Sequence, residues 1–122
     1  MNLASLLHAD QVIPAMTSTT HWESVVEIVN HLHARAYLSD LQTPPVLEAL
    51  REREEKISTG IGSGVAIPHA FSDLVEDVVV GFGRSMEGIE FEALDNAPVH
   101  FIILFIVPKT KYQLHLRTLA AI

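Results

Sequence analysis

Val99-His100-Phe101-Ile102-Ile103-Leu104-Phe105-Ile106-Val107 is apolar at every position but one, and Pro108 ends the run. A strand with one wet face alternates apolar and polar residues. A run without alternation predicts a strand covered on both faces, at the centre of a sheet. Upstream, residues 76–83 predict a second strand, 85–88 a turn, 89–91 a short extended piece and 95–98 another turn. Further back, Val25, Val26, Ile28, Val29, Leu32 and Ala36 recur at helical spacing, so residues 21–37 predict a helix. Thr20 and Glu23 fit a capping box at its start. Thr43-Pro44-Pro45 marks a second helix running to about residue 54, with Val46, Leu47 and Leu50 as its buried stripe. Leu3, Leu6 and Leu7 suggest a short N-terminal helix, and residues 11–16 a short strand with Pro14 near an edge. Downstream of Pro108, Leu114, Leu116, Leu119 and Ile122 predict a last helix whose pattern runs to the final residue, as in a domain short of its closing elements. Two helices, then strands, then a helix imply an α/β fold. We expect a single domain with a mixed sheet flanked by helices on both faces, a three-layer sandwich.

The chain has 122 residues, enough for one domain and one core. Eight Lys and Arg against fifteen Asp and Glu give a net charge of −7, which argues against nucleic acid as a partner. There is no cysteine, so neither a disulfide framework nor a thiolate metal site is available. The first residues lack the basic and apolar regions of a signal peptide, and no apolar run is long enough to span a membrane. Cytoplasmic residence is the expectation.

Chemistry concentrates in Ser58-Thr59-Gly60-Ile61-Gly62-Ser63-Gly64-Val65-Ala66-Ile67-Pro68-His69-Ala70. Glycines at alternate positions allow positive φ and close approach of backbone amides to an anion. Val65-Ala66-Ile67 reads as a buried strand ending at Pro68, with His69 at its tip. The segment suggests phosphoryl chemistry with His69 as nucleophile. Taken alone, the glycines fit a strand-entry turn equally well.

The stretch from Arg53 to Ala70, with Asp95-Asn96-Ala97-Pro98-Val99 and His115-Leu116-Arg117-Thr118-Leu119 downstream, resembles the enzyme IIA domain of the bacterial phosphoenolpyruvate-dependent sugar phosphotransferase system. The likeness is to the fructose–mannitol class, which includes the nitrogen-regulatory IIA proteins, and it covers nearly the whole chain, residues 1–122. It implies a cytoplasmic phosphocarrier that accepts a phosphoryl group from an HPr-type protein. The group then passes to a IIB partner or acts as a regulatory signal through a target protein. A regulatory interaction module with little onward transfer is the alternative, and a small hydrolase using His69 a weaker one. The resemblance places phosphorylation on His69 and a second active-site histidine at His115. Arg53 matches an arginine near the site, and Thr59, Gly60, Gly62 and Gly64 belong to the phosphate-side loop. Ala70-Phe71 stands where many members have Gly or Ala followed by a basic residue. No metal, no cofactor and no direct membrane insertion are implied.

Neutral imidazole is a good nucleophile near pH 7. Transfer between two imidazole nitrogens is nearly balanced, as a relay requires, and positioning and charge dominate the catalysis. One ring nitrogen of His69 must attack, so the other should donate to a backbone acceptor. His115 is expected to donate to phosphoryl oxygens, and Arg53 with the glycine amides to offset charge. Without the resemblance, His115 reads as a surface residue and Arg53 as part of a solvated helix face. Arg51 reads as surface. His31 and His33 are two apart on a helix and point to different sides, so they read as surface histidines. His8, His21 and His100 read as structural, and Trp22, Phe101 and Phe105 as core.

Overall fold

The computed structural model describes residues 8–56, 60–91 and 97–109. A six-stranded mixed sheet carries the fold. Its strands are β1 (Val12–Ile13), β2 (Gly60–Gly62), β3 (Val65–Ala66), β4 (His69–Phe71), β5 (Val79–Ile89) and β6 (Val99–Val107). The order is β1-β5-β6-β3-β2, with β4 also paired to β6. β6 is central, as its nearly continuous apolar run predicts: β5 lies antiparallel on one side, and β3 and β4 lie parallel on the other.

Helices α1 (His21–Ala34) and α2 (Thr43–Lys56) pack on one face of this sheet. Val25, Ile28, Val29 and Leu32 of α1 and Val46 and Leu50 of α2 are buried with Ile102, Leu104 and Ile106 of β6. The spacing of three and four residues puts those helix side chains on single stripes. The opposite face of β6 buries Phe105 and Val107 beside Val80. Both faces of β6 are therefore apolar, but Phe101, expected in the core, is 42% exposed near the strand's start. The α/β class and the mixed sheet agree with the sequence reading. The helices expected over residues 3–7 and 110–122 lie outside the described residues, as do residues 95 and 96 of the turn expected at 95–98. No helix among the described residues is long and apolar enough to cross a membrane.

Helix α1 lies close to the sheet because β5 carries glycine beneath it. A Cβ on Gly81 would come within 2.6 Å of the Ile28 Cγ2 methyl, and one on Gly83 would run into the Met16 sulfur. The start of α1 departs from the expected capping box. Thr20 is the extended N-cap residue, but its hydroxyl donates to Glu23 Oε1 at 2.6 Å rather than accepting from the helix amides. The helix also stops at Ala34, not near 37. Ala36 takes φ 66°, and the Tyr37 amide donates back to the Leu32 carbonyl at 2.9 Å, a closure that ends a helix.

Residues 85–88 do not form the expected turn between strands. They bulge out of one long β5, which takes five steps from Arg84 to Ile89 while β6 takes two from Phe101 back to Val99. Gly88 at φ 94° and the Ser85 hydroxyl, which accepts from the Gly88 amide at 3.0 Å, close the bulge without ending the pairing.

Candidate functional site

The sheet holds His69 through a strand that breaks and resumes. Ala66 pairs with Ile102 and His69 with Phe105, three steps on each side, so the register runs straight through Ile67-Pro68. Pro68 has no N–H to donate, which interrupts the ladder there. Its carbonyl still accepts from the Phe105 amide at 2.9 Å, and the Ser72 amide donates to the Val107 carbonyl at 3.0 Å. His69 is thus the first residue of β4, not a tip beyond a finished strand, and its backbone is pinned on both sides.

The imidazole is half-buried, and Nδ1 donates to the Ile67 carbonyl at 2.9 Å. A neutral ring with its proton on Nδ1 keeps its in-plane lone pair on Nε2. Burial pushes the His69 pKa below the ordinary 6.5, against the pull of the Ile67 carbonyl. The Arg53 guanidinium lowers it further, and Glu54 acts the other way. The ring is therefore neutral, and nucleophilic, around pH 7.

His69 borders a shallow hollow of about 370 Å³. Glu52, Arg53 and Lys56 line it from the last turns of α2, and Phe71 and Lys109 from beyond the imidazole. Three cations against one acid make it an electropositive spot on an acidic chain, suited to an anion. Of the residues expected at the site, Arg53 and His69 come together here. His115 and Thr59 lie outside the described residues.

The glycines take another job at the far end of β3. Ser63 (φ 56°) and Gly64 (φ 77°) form the two-residue turn of the β2–β3 hairpin, closed by the Gly62–Val65 pair. The Gly64 carbonyl accepts from the amides of His100 and Phe101 at 2.8 and 3.0 Å. His100 is five residues before Phe105, the partner of His69, or roughly 16 Å along a strand. Gly62 and Gly64 are therefore not brought to the imidazole. The positive φ of Gly64 serves the turn, and Gly62 (φ 93°) lies where the β2–β3 register shifts. Gly60 opposes Ala66, partway between.

A second hollow lies on the other side of α2. There the His21 Nε2 meets Glu54 Oε2 at 2.7 Å, with the ring stacked on Phe91 at 3.9 Å between centroids. Arg51 sits over Trp22 at 5.0 Å and near Glu55 at 3.8 Å. Three further histidines have separate partners. His31 meets the Asp10 carbonyl at 2.8 Å, His33 meets Asp40 at 2.6 Å, and His100 Nδ1 meets the Ser85 carbonyl at 2.9 Å.

Lys56 and Lys109 were not singled out from sequence. The signal for Lys109 was its place two residues beyond the end of β6, since ends of parallel strands in one sheet emerge together.

Known proteins resemble this chain in sequence and in fold. A family model described as "Phosphoenolpyruvate-dependent sugar phosphotransferase system, EIIA 2" matches residues 5–122. A "PTS system fructose-specific EIIA component" from Haloferax volcanii is 43% identical over 76 residues, covering 62% of this chain and 49% of that one. The chain thus spans about half the length of that relative. A "Nitrogen regulatory protein" from Escherichia coli is 35% identical over 130 residues, covering 100% of this chain and 74% of its own length. The crystal structure of nitrogen regulatory protein IIA-Ntr from Neisseria meningitidis superposes with a TM-score of 0.87 at 30% identity, covering 98% of this chain and 80% of that one.

Proposed function

This chain belongs to the EIIA 2 family of the phosphoenolpyruvate-dependent sugar phosphotransferase system, and on that premise we propose that it is a cytoplasmic histidine phosphocarrier that uses His69. The observation that carries the reading is the Nδ1 bond to the Ile67 carbonyl, which leaves the attacking lone pair on Nε2 beside a cationic hollow.

In the transfer, the Nε2 lone pair forms a new P–N bond to the phosphoryl group of a donor phosphoimidazole. The donor's P–N bond breaks, and its electron pair returns to the donor nitrogen. The His69 Nδ1 proton stays in place, and the positive charge that develops on the ring strengthens its bond to the Ile67 carbonyl. The reverse change neutralises the donor ring. Charge is conserved and no general base is needed. Arg53 stabilises the equatorial oxygens of the phosphoryl group during transfer. His115 donates to the same oxygens, a role that rests on the family resemblance. The donor is an HPr-type protein and the acceptor a IIB partner, roles that rest on the family resemblance. Regulation of a target protein without onward transfer is a second reading, supported by the nitrogen regulatory relative that aligns with the whole chain.

Incubation with a phosphorylated HPr-type donor tests the carrier. Acid-labile phosphate should appear on the wild-type chain and not on His69→Gln. A wild type that takes no label refutes it. His115→Ala should still accept phosphate but pass it on slowly; unchanged transfer removes His115 from the site.

A further inference from the structure

The two parallel strands that flank the site end in step. Phe71 pairs with Val107, and the Ser72–Val107 hydrogen bond carries the ladder one residue further. Two residues beyond each paired position stand Asp73 and Lys109, and the ladder delivers them side by side. The Lys109 Nζ lies 3.4 Å from Asp73 Oδ2, while Lys109 also lines the hollow of His69.

From this arrangement we propose that Lys109 is a phosphoryl-binding residue, held by Asp73 while His69 is bare and released to the phosphoryl group when His69 carries one. The inference rests on the phosphocarrier reading. Both side chains are largely exposed, 63% for Lys109 and 71% for Asp73. An exposed ion pair is weak and its partners are loosely held. A phosphoryl group brings about two negative charges and three acceptor oxygens into the hollow, against the single charge of Asp73. The long, flexible lysine stem allows the exchange, and Asp73 is left in water at little cost. Phe71, the side chain next along β4 on the histidine's side, offers no charge of its own. Lys109 supplies the cation from the neighbouring strand's end.

A purely structural ion pair and a phosphoryl ligand make opposite demands on its two members. Breaking a structural pair from either side has the same effect. For a ligand, removing Lys109 weakens the phosphorylated form, and removing Asp73 frees Lys109 and strengthens it. The experiment equilibrates the wild type, Lys109→Gln, Lys109→Arg and Asp73→Asn with a phosphorylated HPr-type donor. It reads the partition of acid-labile phosphate between donor and chain. Lys109→Gln should shift the partition toward the donor about tenfold. Asp73→Asn should shift it toward this chain about two- to threefold, and Lys109→Arg should stay near wild type. A labelled wild type with an unshifted Lys109→Gln, or with both neutral variants moving the same way, overturns the proposal alone. An unlabelled wild type fails at the earlier step and overturns the phosphocarrier reading with it.

Discussion

His69 and His21 sit on opposite sides of α2, and neighbouring residues of that helix serve them. Arg53 lines the hollow of His69, whereas Glu54 grips His21. The His69 ring is tied through Nδ1 to a neutral carbonyl, while the His21 ring is tied through Nε2 to a nearly buried carboxylate and stacked on Phe91. The first arrangement fixes a tautomer, with the proton on Nδ1 and the lone pair on Nε2. The second commits the outer nitrogen and locks the ring into packing. A histidine's chemistry here follows from which nitrogen is engaged and by what, more than from its depth.

The largest test of this contrast is substitution of each ring. His69→Gln should abolish acid-labile labelling, whereas His21→Gln should keep it in samples with native circular dichroism. Loss in both breaks the contrast. Next comes Glu54→Gln, which weakens the bond to His21. It should cost about 1–3 kcal/mol in denaturant melts while the chain remains competent for labelling. If it removes labelling from a folded protein, Glu54 belongs to the other hollow.

A pH series has a smaller effect and a definite sign. Because the native His69 pKa lies below 6.5, the unfolded chain takes up a proton first as pH falls. The contribution of His69 to stability is therefore whole above that value and is lost progressively on acidification through the window below it. Its accepting rate should fall at a lower pH than that of an ordinary imidazole; a rate that halves at 6.5 contradicts the burial argument. The smallest effect concerns Glu27 of α1. Burial would raise its carboxyl, but the Ser18 hydroxyl and the amides of Ser18 and Thr17 outweigh that and hold it below 4.5. The stability it adds is present above that value and lost as pH falls through the native one. Glu27→Gln should cost at most about 1 kcal/mol, since water screens the site.

The central strand was legible in the sequence because it rests on a local pattern, an apolar run without alternation. The role of the glycines was not. A phosphate cradle and a type I′ hairpin turn both demand positive φ, so Gly62 and Gly64 look alike in either. Only the pairing of Gly62 with Val65 decides for the turn. Residues 85–88 failed similarly, since a bulge closed by Gly88 uses turn chemistry inside a continuing strand. Arg51 and Arg53 share one charged run, Arg51-Glu52-Arg53-Glu54-Glu55-Lys56. A rotation of about 100° per residue sends one to Trp22 and the other to His69. Which is which depends on how α2 lies on the sheet, and that is not a local property.

The parallel pairing of His69 with Phe105 has a kinetic consequence. β5 and β6 are near neighbours in sequence, whereas β4 must find β6 across the intervening chain, so closing that loop is the slower event. Until it closes, the Phe105 amide has no Pro68 carbonyl and Lys109 is not brought to the imidazole. In a refolding experiment, competence to accept phosphate should therefore appear after β5–β6 pairing is complete. On the phosphocarrier reading, a nascent chain whose β6 is still within the ribosome would have its histidine but not its chemistry.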